Sequence, residues 1–304
     1  MRNLIIGGNG YIGSALYQKI ESDSIDLCFY GKDLGYSIKK NYNDIDISQY
    51  KNIILLAGHS SVQMCEYNKG NAWINNVDYF YNICEKLRDD QILIYASSAS
   101  VYGQKTNICT ENDLNISPIN HYDLTKITID VIANKFINDG KKIVGLRFGT
   151  VNGASPNIRS DLMINSMIYS YKTKGSICVS NSWIKRPILS IDDLVRSICR
   201  IIDSDKKYFG QYNLCSFNKT VDEISDTVSK ILNCKIVKSK NTNKVYDFEI
   251  SNRNFEKDYD FNFESDIESV IISMVDSDLS LFYPRKNDKL FDIYGNKKLL
   301  DGKY

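Results

Sequence analysis

Histidine is nearly missing from this sequence: His59 and His121 are the only two in 304 residues. Cysteine is commoner, with eight, among them Cys28, Cys65, Cys84 and Cys199, but no two stand in a CxxC spacing. A structural zinc site needs ligands clustered in sequence, and a disulfide framework needs paired cysteines, so no metal site is expected and the thiols are read as reduced, as in a cytoplasm. An excess of charge is also missing. The 38 Lys and Arg against 37 Asp and Glu leave a net charge of +1, which gives nucleic acid or a membrane surface nothing to attract it. The apolar run that begins at Leu4 is too short for a signal peptide or a membrane span. There is no internal repeat and no low-complexity linker. With 43% hydrophobic residues, the chain has material for a large core, as one big domain or as two that share a cleft.

Short apolar runs alternate with longer amphipathic stretches, which predicts βαβ units, an α/β class and a parallel sheet. Strands are expected at Leu4–Ile6, Leu27–Tyr30, Asn52–Ala57, Gln91–Ala96 and Lys142–Phe148, and helices at Tyr11–Ser22, Trp73–Leu87 and Tyr122–Phe136. The run Asn52–Ala57 is unbroken in apolarity and is expected to be buried on both faces. Past about residue 155 the pattern weakens. Helices are expected near 163–170 and 192–202, with short extended pieces around Pro187. The polar, aromatic tail 276–304 gives no element.

Gly7, Gly10 and Gly13 follow the first strand and open the first helix, with Tyr11 and Ile12 between the last two. Glycine at these places allows a sharp turn, close approach of backbone to a pyrophosphate, and tight packing of helix on strand. The phosphates then sit at the positive end of the helix. A dinucleotide site usually carries an acid at the end of the second strand. Read with the strand at 27–30, that place holds Gly31-Lys32, so Lys32 points weakly to NADP, and the cofactor expected is NAD or NADP. Asp46-Ile47 closes a later short segment, where it could contact adenine.

Tyr-x-x-x-Lys sets a phenol and an ammonium one turn apart on a helix face. The cation and a positive nicotinamide ring would lower the phenol's pKa, so that it can exchange a proton with a sugar hydroxyl while hydride moves. The spacing occurs at Tyr36/Lys40, Tyr122/Lys126 and Tyr294/Lys298. Only Tyr122 opens a long amphipathic helix, after a strand whose end carries Ser97, Ser98 and Ser100. That is where a parallel sheet presents reacting groups.

The segments Gly7–Gly13, Tyr95–Gly103, Tyr122–Lys126, Arg147–Gly153 and Arg186–Asp193 together resemble the extended short-chain dehydrogenase/reductases, the nucleotide-sugar epimerases, dehydratases and reductases. The likeness covers roughly residues 1–272. It implies a doubly wound parallel (Rossmann) sheet with a smaller C-terminal α/β substrate domain. Residues 1–155 would bind the dinucleotide, with returning segments near 186–215, and 156–304 would form a discontinuous substrate domain. It implies Ser98, Tyr122 and Lys126 as the catalytic set. Leu56, Ala57, Gly58, Asn76, Ser97 and Phe148 join the glycine loop around the cofactor. Ser98, Ser100 and Arg186 would serve the substrate, with Arg186 on its diphosphate; Thr150 stands where the family often has an Asn that touches the nucleotide sugar, and Arg159 and Asn165, in the substrate-domain segment, could compensate for a missing phosphate arginine. Two departures narrow the chemistry. Ala99 and Ser100 stand where 4,6-dehydratases carry an Asp-Glu pair, which argues against dehydration. Tyr246 stands where a second phosphate arginine is usual. An epimerase working by transient oxidation at a sugar carbon, C4 by expectation, is the first reading. A 4-keto reductase or dehydrogenase, and a non-catalytic dinucleotide sensor, are the alternatives. The resemblance also implies a homodimer through helices near 76–88 and 122–136, and a nucleotide-diphosphate sugar as partner.

Overall fold

The computed structural model describes residues 2–28, 31–105, 107–113, 116–205, 208–239 and 246–283. The first half runs β1 (Asn3–Ile6), α1 (Tyr11–Tyr17), β2 (Asp23–Asp26), β3 (Ile38–Lys39), β4 (Asn52–Leu55), α2 (Val62–Tyr67) and α3 (Lys69–Trp73). A π-helical turn, Ile74–Asp78, leads into α4 (Tyr79–Lys86), followed by β5 (Ile92–Ser98), β6 (Ile108–Cys109), α5 (His121–Asn138) and β7 (Ile143–Phe148). The second half adds β8 (Thr150–Asn152), β9 (Ile158–Arg159), α6 (Met163–Lys174), β10 (Ser176–Val179), β11 (Lys185–Ser190), α7 (Ile191–Asp203), β12 (Gly210–Leu214) and β13 (Phe217–Thr220). It continues through α8 (Val221–Leu232), β14 (Lys235–Lys238), β15 (Glu249–Ile250), α9 (Arg253–Tyr259), α10 (Ile267–Val275) and β16 (Phe282–Tyr283).

Seven strands form one parallel sheet in the order β12-β7-β5-β4-β1-β2-β3. Order reverses at β1, which sends chain to both sides. Side chains alternate across each strand, so neighbouring residues feed opposite cores. Ile5, Ile54 and Ile94 pack into the layer with α1 and α7. Leu4, Ile6, Ile53, Leu55 and Leu93 pack into the layer with α4 and α5. Apolarity on both faces of β4 is what a strand covered twice requires, and Asn52–Leu55 is buried throughout. Away from this sheet, β13-β11-β8 makes a three-stranded sheet.

One strand departs from expectation in a way that matters for the site. The second strand is Asp23–Asp26, not Leu27–Tyr30, and α1 ends at Tyr17 instead of near Ser22; Phe29 and Tyr30 lie outside the described residues. Hydropathy favours the later, apolar run. The strand instead forms from Asp-Ser-Ile-Asp because each polar group in it has a partner. Tyr50 donates to Asp23 at 2.7 Å, Ser24 donates to Ser37 at 2.8 Å, and the Asn9 N–H donates to Asp26 at 2.9 Å. These partners offset part of the cost of burying the polar groups, and Ile25 packs into the core.

Among the described residues, no helix is long and apolar enough to cross a membrane. Helix α5 runs three residues beyond its expected reach at the start and end combined, and β5 extends through the serines to Ser98. The tail yields a short 3-10 turn, Leu279–Leu281, and β16, which pairs with β9. The Tyr294/Lys298 spacing lies outside the described residues. Tyr36 is a loop residue whose ring stacks on Tyr17 at 3.7 Å and whose hydroxyl donates to the Gly8 carbonyl, so it takes no part in a helical Tyr/Lys pair.

Candidate functional site

The C-terminal ends of β1, β4, β5 and β7 open into a single cleft of about 330 Å³, lined on its floor by Gly7, Gly10, Tyr11, Ile12 and Gly13. Glycine is required here by contact. A Cβ on Gly13 would stand 2.1 Å from the Gly7 carbonyl oxygen, and one on Gly7, whose φ is +100°, would stand 2.6 Å from the Ala57 nitrogen. The first turn of α1 leaves N–H groups without intrahelical acceptors, and its N-cap, Gly10, has no side chain to cap them. They are the donors a pyrophosphate needs.

Asp26 closes β2 inside this cleft and supplies the acid that the sequence was read as lacking. Burial pushes its carboxyl up to about 6, against hydrogen bonds from Ser37 and the Asn9 N–H. Lys32, the basis for the NADP preference, does not line the cleft. Its ammonium is spent on Ser280 Oγ at 2.8 Å, and its backbone is tied to Asn157 and Asn9. Asp46 and Ile47 also stand apart from it, beside Lys86 and Arg88. Asp46 is turned to accept the Ser48 N–H at 2.8 Å, and Ile47 is buried in the core. Tyr42 lines the cleft instead, its hydroxyl accepting from the Leu27 N–H.

If Asp26 accepts the ribose hydroxyls of a dinucleotide, affinity should follow its ionisation. Asp26 is ionised above about pH 6 and protonated below it. NAD affinity is therefore expected to be constant at neutral pH and to fall about tenfold per unit once pH drops below that value. Asp26→Asn should bind weakly at every pH. Titrations that return one dissociation constant from about pH 8 to about pH 5 would exclude this role.

The chemistry-bearing groups come from β5 and α5. Asn120 caps α5, accepting the Asp123 N–H at 3.0 Å, which fixes Tyr122 and Lys126 in the first turns. Lys126 donates to the Ala96 carbonyl at 2.7 Å and lies 5.8 Å from the centre of the Tyr122 ring. Burial draws its ammonium down to about 8. The Tyr122 phenol moves the other way from expectation. Burial pushes it up to about 12, partly offset by a hydrogen bond with Ser98 and by the Arg159 charge. Within the protein alone Tyr122 is thus a proton donor at neutral pH. Ser98 also shares a 2.8 Å hydrogen bond with Ser100.

At the far end, Arg186 on β11 donates to Thr150 Oγ1 at 2.9 Å and lies over the Tyr246 ring at 5.7 Å. Arg159 lines the cleft, paired to Asp161 at 2.7 Å and donating to the Ser60 carbonyl. Leu56, Ala57, Gly58, Ser97, Phe148 and Thr150 line it as well. Two residues assigned to it do not. Asn76 is buried behind the cleft, where it accepts the His59 N–H and donates to the His59 carbonyl and to Thr125 Oγ1. Asn165 is consumed by Gly153, Tyr11 and the Arg159 carbonyl. Each holds the wall of the cleft without facing it.

Five buried side-chain polar atoms have no partner among the described residues, and four of them belong to residues that line this cleft: Asn75 Oδ1, Ser97 Oγ, Arg186 Nε and Tyr283 Oη. Unpaired buried polar atoms are costly, so their concentration here marks a place shaped for a polar ligand. Donors at the glycine loop, an acid at β2, and Lys126 with Tyr122 beyond them fit a dinucleotide. The sequence pointed to Ser97 and Arg186. Asp26, Tyr42, Asn75 and Tyr283 were missed, because each enters through a register or pairing that no local pattern encodes.

The family model described as NAD dependent epimerase/dehydratase matches residues 3–215. Protein CapI of Staphylococcus aureus is 30% identical over 234 residues, covering 66% of this chain and 69% of that protein. An ADP-L-glycero-D-manno-heptose-6-epimerase of Brachyspira hyodysenteriae is 29% identical over 177 residues, covering 51% of this chain, and the match spans only 56% of that relative's length. Among solved structures, a UDP-glucuronic acid 4-epimerase from Bacillus cereus, in complex with UDP-glucuronic acid and NAD, superposes with a TM-score of 0.79 at 18% identity, over 91% of this chain and 98% of that one. At that identity the likeness is one of fold.

Proposed function

This chain belongs to the NAD-dependent epimerase/dehydratase family, and we propose that it is a UDP-sugar 4-epimerase whose acid/base is Tyr122. The observation that carries the reading is the meeting of Tyr122, Lys126 and Ser98 in one cleft with the unpaired polar atoms of Ser97 and Arg186. NAD, when bound, supplies the hydride acceptor and a positive ring beside the phenol. Tyr122 takes the proton of the C4 hydroxyl as the carbon is oxidised and returns it when the keto sugar is reduced on its other face. Ser98 orients the reacting oxygen. Arg186 would bind the diphosphate, a role supported by its unpaired Nε and by the second nitrogen's bond to Thr150. The cofactor would lie on residues 1–155 and the sugar nucleotide against 156–304. The relatives named for UDP-glucuronic acid make a hexuronate the first sugar to try.

Dehydration is disfavoured by what surrounds Ser98. Ala99 and Ser100 offer no acid, and the carboxylate that hydrogen-bonds Ser100, Asp123, does not line the cleft. It is engaged by Tyr246 at 2.8 Å, by Asn120 at 3.0 Å and by the Ile119 N–H at 3.1 Å. The test is to incubate the purified protein with a panel of UDP-sugars and follow products by chromatography. The expected result is interconversion of a sugar with its C4 epimer without added NAD(P)H. Stoichiometric NAD(P)H consumption would establish a reductase instead, and loss of water a dehydratase. A homodimer is proposed through α4 and α5, which expose Tyr81, Leu124 and Val131. A monomer mass by light scattering would overturn that part.

A further inference from the structure

We propose that Tyr283 is a cofactor-binding residue, donating its phenolic proton to the diphosphate of the dinucleotide, and that the strand carrying it roofs the cleft. This rests on the dinucleotide reading of the cleft. The Tyr283 hydroxyl is buried and has no partner among the described residues, yet its side chain lines the cleft. A phenol in that state is unsatisfied until a ligand arrives.

The position of the ring identifies which part of the ligand it meets. A Cβ built on Gly31, whose φ is +79°, would stand 2.8 Å from Tyr283 Cδ1. The ring therefore lies against the loop that follows β2, where Asp26 marks the adenosine side. Tyr11, in the first turn of α1, and Arg159 line the same cleft as Tyr283. Between the Asp26 end and the Tyr122/Lys126 end would stand the diphosphate, an anion whose charge strengthens a hydrogen bond donated to it. The sugar-phosphate end, with Arg186 and Thr150, belongs to β11 and β8 and is served separately.

The strand is held firmly enough to make this a built feature. Phe282 is buried in the main core and packs near Tyr169, with ring centres 5.7 Å apart. Both the Ser160 N–H and its hydroxyl donate to the Tyr283 carbonyl, at 3.3 and 3.2 Å. Lys32 donates to Ser280 Oγ at 2.8 Å. The segment 279–283 is thus fastened both to β9 and to the post-β2 loop, which itself bonds Asn157 beside β9.

The experiment is calorimetric titration of the full chain and of Tyr283→Phe with NAD and, separately, with UDP. Phenylalanine keeps the ring and its packing, and circular dichroism checks the fold. The expected result is an NAD dissociation constant raised about tenfold with UDP binding unchanged. Equal NAD affinity in the two proteins overturns the proposal. So does weakened UDP binding with NAD unaffected, which would move Tyr283 to the substrate. If the unsubstituted chain binds no NAD, the dinucleotide reading itself fails and takes this inference with it; the wild-type titration separates that failure from the other two.

Discussion

Tyr122→Phe should lose about 10²–10⁴-fold in turnover while NAD binding survives. The ring stays and only the hydroxyl goes, so packing and the cofactor wall are preserved. The loss is large because the hydroxyl that would carry the proton is gone. His59 is held through its ring nitrogen by Asn75 at 2.9 Å, and Ser98 shares a 2.8 Å hydrogen bond with Ser100. The pH profile carries a further expectation. The phenol sits at about 12 in the protein alone, so its use as a base depends on the nearby positive charge of Lys126 and the cofactor. Lys126, drawn to about 8, loses its charge as pH rises through that value. Activity with the cofactor bound should depend on keeping that ammonium, and Lys126→Met should shift the alkaline behaviour as well as lower the rate. Turnover that is unchanged in Tyr122→Phe would remove the tyrosine from the mechanism.

Asp130→Asn should destabilise the protein by about 3–5 kcal/mol. Asp130 is buried on α5 and accepts from Arg147 Nε of β7 and from the Tyr95 hydroxyl of β5, each at 2.8 Å. Arg147 continues the chain to the Tyr102 hydroxyl at 2.9 Å, which donates to Asn213 of β12 at 2.8 Å. Burial works against the Arg147 cation, but Asp130 and Tyr102 more than offset it and hold its pKa above the usual value. Removing the carboxylate leaves the buried guanidinium without its 2.8 Å ion-pair partner. The double variant Asp130→Asn/Arg147→Met should recover much of the loss, since the cost lies in the orphaned charge. Denaturant unfolding that shows single and double variants equally destabilised would contradict this account. Because the network ties α5 to the strand bearing Ser97 and Ser98, a partly folded single variant should also lose affinity for NAD.

How much of this was legible in the sequence depends on how local each determinant is. The glycine loop, β5 with its serines, and α5 with Tyr122 are all written in short stretches: tight-turn glycines, an apolar run, and a periodic helix capped by Asn120. Their arrangement was readable before any coordinates. Asp26 was not, because its strand is polar and is made acceptable by Tyr50, Ser37 and Asn9, partners that only the fold brings near. Lys32 and Asp46 misled for the same reason in reverse. Each has the right chemistry, but each is already committed, to Ser280 and to the Ser48 N–H. Asn165 and Asn76 are committed to backbone and side-chain groups around the cleft, pairings that their sequence neighbours do not announce. Tyr283 had no signal at all, since its role arises from pairing with a strand far upstream.

That pairing has a consequence for how the protein comes into being. The floor of the cleft is residues 7–13 and the wall bearing Tyr122 follows mid-chain, so the sheet can assemble early as the polypeptide emerges. The roof at 279–283 arrives only after almost all of the described chain has been made. A growing chain would therefore hold dinucleotide loosely in an open trough until that final strand docks on β9. Proteolytic nicking just before residue 279 should then leave a folded protein that exchanges its cofactor quickly, a change seen in release rate before it is seen in melting temperature.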